Sequence, residues 1–131
     1  MKISTKGRYA LRIMIDLALN KNDKFTSLRD IATRQDVSIK YLEQIIAMLN
    51  KAGFLEVARG NNGGYKLAKP ASEYKIGDIL RATEGELTPI ACIHGEECTK
   101  KENCKTFEFW HGLDIIVNES VNSKTLYDLI K

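Results

Sequence analysis

SLRDIATRQDVSIKYLEQIIAMLNKAG, residues 27–53, reads as two short helices joined by a tight turn. Ser27 stands three residues before Asp30, a capping-box pattern that opens a helix over 28–35. Asp36 and Val37 make the turn, and Ser38 is the natural N-cap of the next helix. That helix carries Leu42, Ile45, Ile46 and Leu49 at helical spacing on its inner face. Gly53 suits the position just beyond its end. Ser38, Lys40, Tyr41, Glu43 and Gln44 lie off the apolar face, in the first two turns.

Working outward toward the N-terminus, Lys21–Phe25 is a polar break. Before it, Ala10, Ile13, Met14, Leu17 and Ala18 make residues 7–20 an amphipathic helix. Toward the C-terminus, Leu55 and Val57 alternate with polar residues, as do Tyr65 and Leu67. The Gly/Asn cluster 60–64 between them reads as the tip of a β-hairpin, and Pro70 closes the unit. Three short helices, a tight turn between the second and third, then a hairpin: this is the order of a winged helix-turn-helix.

Residues 71–131 add a helix over 76–84 closed by Gly85, and an aperiodic loop over 86–103. A long helix follows from Cys104 onward, and Thr125 with Asp128 caps a last short helix. Phe109, Trp110, Leu113, Ile116 and Val117 form a broad apolar stripe on the long helix. The expected fold is therefore mainly α: a winged helix-turn-helix with a small β-hairpin wing and a long C-terminal dimerisation helix. Residues 1–70 form the DNA-binding unit. Residues 71–131 hold the connecting helix, a cysteine sensor loop and the dimerisation helix, built around Trp110, Leu113 and Val117.

A chain of 131 residues with 44% hydrophobic and 28% charged residues has the composition of a soluble globular protein. It opens without the apolar core of a signal peptide and has no apolar run of membrane-spanning length, so a cytoplasmic protein with no membrane partner is expected. The net charge of +3 is unevenly divided. Residues 1–70 hold 13 Lys and Arg against 6 Asp and Glu, whereas residues 71–131 hold 7 against 11. A basic half attached to an acidic half points to a polyanion as partner of the first half, here double-stranded DNA.

The residue types suit that partner. Lys40 is placed for a phosphate contact. Glu43 would be repelled by phosphates and is useful only if it accepts from a base, such as the cytosine amino group. Arg59, beside Gly60 at the hairpin tip, has the charge and reach for a narrow minor groove. Ser4, Thr5, Lys6 and Arg8 supply hydroxyl and cationic contacts at the start of the first helix. No nucleophile elbow, phosphate loop or pair of catalytic carboxylates is present, so the chain does not read as an enzyme.

The cysteines stand at Cys92, Cys98 and Cys104, with five residues between each one and the next. Three thiolates within thirteen residues of one loop can converge on a metal centre, and soft sulfur ligands favour an iron–sulfur cluster, Zn²⁺ or Cu(I). The spacing is not the C-x(2)-C of a zinc ribbon. A bare thiol redox switch uses the same residues.

The segments MKISTKGRYALRIMIDLAL, VSIKYLEQI and ARGNNGGYKLAKP resemble the Rrf-two family of bacterial transcription regulators, which has IscR-, NsrR- and CymR-like members. The likeness runs over nearly the whole chain. It implies a homodimeric winged-helix repressor or activator, with Ser38, Lys40, Tyr41, Glu43 and Gln44 on the recognition helix and Arg59 and Gly60 on the wing. IscR- and NsrR-like members carry a cysteine triad before a helix that begins much like CKTFEFWHGL. The resemblance thus implies cluster-ligand roles for Cys92, Cys98 and Cys104, with an iron–sulfur cluster of 2Fe-2S type sensing iron–sulfur status, nitric oxide or redox state. Where IscR-like chains place a histidine ligand this sequence has Phe107, and where NsrR-like chains place an acidic residue it has Arg8. His111, one turn beyond Phe107, and His94 are the protein candidates for a fourth ligand. The opening residues are most like those of CymR-type chains, which lack the triad. The alternative reading is therefore a cluster-free regulator controlled by a protein partner or by thiol oxidation.

Overall fold

The computed structural model describes residues 1–20, 24–91 and 104–131. In chain order these form helices α1 (Thr5–Ala18), α2 (Leu28–Gln35) and α3 (Ile39–Lys51), strands β1 (Leu55–Ala58) and β2 (Gly64–Leu67), then helices α4 (Ile76–Glu84) and α5 (Phe107–Ser123). Short 3₁₀ turns stand at Ala71–Glu73 and Tyr127–Leu129. The expected winged-helix order is present.

The local signals explain the boundaries of α2 and α3. The Ser27 hydroxyl accepts from Asp30 N at 3.1 Å and the Ser38 hydroxyl from Tyr41 N at 3.1 Å, each satisfying an orphan amide of a first turn. Asp36 between them takes the left-handed conformation, φ 52°, which an aspartate tolerates better than a branched residue. The chain therefore reverses in two residues.

One apolar core joins these helices. Ala10, Ile13, Met14 and Leu17 from α1 meet Ile31 and Ala32 from α2 and Leu42, Ile45, Ile46 and Leu49 from α3. Burying each of the larger side chains contributes about 1.5–3 kcal/mol. Tyr74, Ile79 and Leu126 belong to the same core, so residues beyond Pro70 complete it. The chain near its C-terminus returns to pair with the segment before α4, through Ile76 N to Lys124 O at 2.9 Å and Leu126 N to Tyr74 O at 2.8 Å. Thr125 N donates to the Asp128 carboxylate at 2.8 Å, and Asp128 N to the Thr125 hydroxyl at 3.3 Å. The expected cap is there, but it opens a 3₁₀ turn.

The wing strands pair antiparallel, with Leu55 opposite Leu67 and Val57 opposite Tyr65. The hairpin is also tied to the segment before α2, where Thr26 and Tyr65 exchange both backbone hydrogen bonds at 2.8 Å. Gly64 permits this approach: a Cβ there would collide with the Thr26 carbonyl.

Two boundaries differ from expectation. Helix α1 starts at Thr5, two residues early, because Ser4 caps it by accepting from Gly7 N at 3.2 Å. Helix α5 starts at Phe107 rather than at Cys104, with Lys105 and Thr106 in a turn. The Thr106 hydroxyl lies 3.2 Å from Cys104 Sγ and makes no capping bond.

Candidate nucleic-acid interface and cysteine segment

Helix α3 has two chemically distinct sides. Leu42, Ile45, Ile46 and Leu49 face the core, whereas Ser38, Ile39, Lys40, Glu43 and Gln44 are exposed. Tyr41 sits at the edge, half-buried, its ring packed edge to face on Tyr9 of α1 with centroids 6.0 Å apart. The Arg12 guanidinium lies 5.3 Å from the centre of the Tyr9 ring. Arg12 and Tyr9 thus join the surroundings of α3, an arrangement the sequence reading missed. The signal was available, since Arg12 follows Arg8 by four residues and Tyr9 by three on one helix. Ile39 was missed too. At 45% exposed, it is an apolar side chain left outside the core in the first turn of α3.

At the wing, Arg59 and Gly60 are both exposed. Gly60 has φ 103°, and its carbonyl accepts from Gly63 N at 3.0 Å to close the tip. Thr5 and Arg8 are exposed on α1 and Lys6 is half-exposed. Ser4 is differently engaged. Its backbone N donates to Glu84 Oε1 of α4 at 3.0 Å, and its hydroxyl donates to the same oxygen. A serine has one hydroxyl proton, so the Ser4 side chain has none left for a phosphate in this arrangement.

Not every cation of the basic half is available to a ligand. Arg34 grips Asp16 bidentately, Nε to Oδ2 at 2.9 Å and Nη2 to Oδ1 at 2.7 Å, and Gln35 adds a third bond at 3.0 Å. The hydrogen bond to Asp16 raises the pKa of Arg34 further above its ordinary value, despite the opposing effect of burial. This pair clamps α2 to α1.

Of the cysteine triad, Cys104 is half-exposed at the turn into α5, while Cys92 and Cys98 lie outside the described residues, as does His94. Among the described residues, no three His, Cys, Asp or Glu side chains gather into a metal-binding group. Phe107 and His111 stack at 5.9 Å with their planes 12° apart, which puts them on one face of α5 as the spacing required. His111 is exposed.

The apolar stripe of α5 divides. Val117 and Val121, both partly buried, pack on Ile76, Leu80 and Leu87 within the same subunit. Asn118 reinforces that side, donating to Leu87 O at 2.9 Å and accepting from Arg81 at 2.7 Å. Phe109 and Ile116, each 64% exposed, stand on the other side seven residues apart. The reason is that α5 is apolar on more than one face, and hydrophobic spacing alone does not say which face α4 covers.

The whole arrangement has relatives. Residues 3–131 match the model of the Rrf2 family, described as iron-dependent transcriptional regulators. An HTH-type transcriptional regulator of Haemophilus influenzae is 37% identical over 130 residues, covering 99% of this chain and 87% of its own. The solved structure of CymR, the global cysteine regulator of B. subtilis, is similar with a TM-score of 0.80 and 40% identity, over 98% of this chain and 95% of that one. The structure of T. potens IscR matches with a TM-score of 0.76 and 37% identity, over 99% and 86%. With a family match over almost its entire length and a regulator's fold beneath it, the chain belongs to the Rrf2 family of transcriptional regulators.

Proposed function

We propose that the protein is a homodimeric regulator that reads double-stranded DNA with α3 and the wing. The observation that carries this reading is the two-sided α3: one side is core, and the other presents Lys40, Glu43 and Gln44 beyond a Ser38 cap with nothing of the subunit's core to cover them. Its first turns enter the major groove, where Glu43 accepts from a base and Lys40 meets a phosphate. Ile39 offers a hydrocarbon surface to a thymine methyl. Arg59, at the glycine-bearing tip, enters the minor groove. Thr5, Lys6 and Arg8 meet the phosphate backbone. The test is selection of duplexes from random-sequence DNA by the purified protein. A pseudo-palindrome with half-sites about 10 bp apart, or a multiple of it, is expected. Recovery of no enriched sequence refutes the reading.

The cysteines form the sensory part of the proposal. Three thiolates suit an iron–sulfur cluster, and Cys104 stands half-exposed at the entry to α5. When bound, such a cluster supplies a redox- and nitric-oxide-reactive centre whose loss changes the local charge and packing. Cys92, Cys98 and Cys104 are the residues that would hold it. His111 is the candidate for a fourth position on the described part of the chain. Similarity to CymR favours a second reading, a cluster-free regulator governed by a protein partner or thiol oxidation. An anaerobic visible spectrum with iron and sulfide counts separates the two: a coloured protein with stoichiometric iron and sulfide supports the cluster, and a colourless, metal-free one supports the second.

A further inference from the structure

In a capping box, the residue three beyond the N-cap is a glutamate or glutamine that reaches back to the N-cap amide. In α1 the N-cap is Ser4 and the third residue is Gly7, which has no side chain to reach with. The missing carboxylate is nonetheless present. Glu84, 80 residues away at the end of α4, places Oε1 on both the amide and the hydroxyl of Ser4. Gly7 is what makes room: a Cβ at that position would collide with Glu84 Oε1 and stand 3.0 Å from Ile3 Cγ2. The capping box is thus completed from another helix, and a side chain at position 7 would displace the Glu84 carboxylate from this placement.

We infer that Glu84 is a positioning residue for DNA binding: by completing the cap of α1 from α4, it holds Thr5 and Lys6 ready for the phosphate backbone. The inference rests on the proposed DNA-binding reading. Two effects of opposite sign meet here. A carboxylate near the DNA face repels phosphates, but its two bonds to Ser4 draw it to the positive end of α1, and salt screens its longer-range field. Without it, the first residues of α1 fray, and the ordering must be met again each time DNA binds. Ordering of the cap outweighs the repulsion, so removing the negative charge weakens binding to a polyanion. Electrostatics alone gives the opposite sign.

The experiment measures affinity for a duplex selected by the wild-type protein, across a salt series, with full-length variants. Glu84→Ala weakens binding about tenfold and lowers the salt slope by about 1, as a phosphate contact is lost. Glu84→Gln, which keeps an acceptor oxygen, stays within about twofold. Gly7→Ala, which leaves the carboxylate in the chain but displaces it, loses binding as Glu84→Ala does. Ser4→Ala added to Glu84→Ala costs less than Ser4→Ala alone, because the two side chains share the Ser4–Glu84 bond and only the Gly7 amide's bond to the hydroxyl is left to lose. Amide exchange at Ser4 and Gly7, the amides held by the cap, quickens in Glu84→Ala while the melting of the remaining helices does not move, a pattern that general destabilisation does not give. Should Glu84→Ala not fold, Ser4→Ala carries the same expectations. Wild-type affinity or tighter binding in these variants, or an unaltered salt slope, overturns the inference. If the wild-type protein selects no duplex, the DNA-binding reading itself falls and takes this inference with it.

Discussion

The hydroxyl of Tyr74 donates to the carbonyl of Phe54 at 2.7 Å, while the same oxygen accepts from Ala68 N at 3.0 Å and Lys69 N at 3.2 Å. The ring meets Phe54 edge to face at 5.5 Å, and the side chain is 1% exposed. One phenol thus fastens the end of the wing to the end of α3 and to the connector into α4. Tyr74→Phe leaves three backbone groups without that partner and should cost about 1–3 kcal/mol in urea denaturation. Burial raises the Tyr74 pKa above its ordinary value. A raised folded-state pKa gives stability that is complete below the unfolded value, about 10, and is lost as pH rises through the folded one. The wild-type protein should lose stability above pH 10 and Tyr74→Phe should lose less of it, so identical alkaline slopes would refute this assignment.

At the DNA, the side chains of α3 and the wing should separate by kind of effect. Glu43→Ala should change the relative affinities of single-base operator variants by about 1–3 kcal/mol at one position. Lys40→Ala should weaken all duplexes alike and reduce the salt slope by about 1. Arg59→Ala should weaken binding most at operators with narrow A·T-rich minor grooves. If the ranking of operator variants is unchanged by Glu43→Ala, Glu43 does not read a base.

The two sides of α5 should also separate. Ile116→Asp places a charge on the exposed side and should raise the dimer dissociation constant by on the order of 100-fold in sedimentation equilibrium, with the subunit still folded. Val117→Ala should leave self-association nearly unchanged but lower stability by about 0.5–1.5 kcal/mol, since it thins the contact with Ile76, Leu80 and Leu87. The reverse pattern would show that the partner face is not the one bearing Phe109 and Ile116.

For the cysteines, replacement of Cys92, Cys98 or Cys104 by Ala should each abolish iron and sulfide incorporation on anaerobic reconstitution. His111→Ala should shift the visible spectrum if that imidazole is the fourth ligand, and His94→Ala should shift it instead if the ligand is His94. An unaltered spectrum in both variants assigns the fourth position to the partner subunit or to an exogenous group.

What could be read from residues alone follows the range of the interactions involved. Helices α2 and α3 were legible because Ser27, Asp36 and Ser38 act on amides and turns within three residues of themselves. The wing was legible from alternation and glycines, but its tie to Thr26 was not, because a bridge between residues 39 apart leaves no periodic trace. The start of α1 was misplaced for a similar reason: Ser4 has no acidic residue three positions on, and its acceptor is Glu84. On α5 the apolar residues were found, yet their division between α4 and solvent depends on packing that no helical wheel contains. Two of the three expected cluster ligands, Cys92 and Cys98, lie outside the described residues; spacing and thiolate chemistry leave several metal centres open, and the cluster-ligand role is what the resemblance to IscR- and NsrR-like chains implies.

Leu126 is fully buried among residues of the first three helices, and the backbone around it is bonded to Tyr74 and Ile76. This gives the chain an order of assembly on the ribosome. The first 70 residues emerge with their core unsealed, because Leu126, which completes it, follows them by more than fifty residues. A nascent chain paused in the cysteine segment already carries α3 and the wing but lacks the side chain that closes the core beneath them. The core of the first three helices is therefore not fully packed until the cysteine segment has also been made.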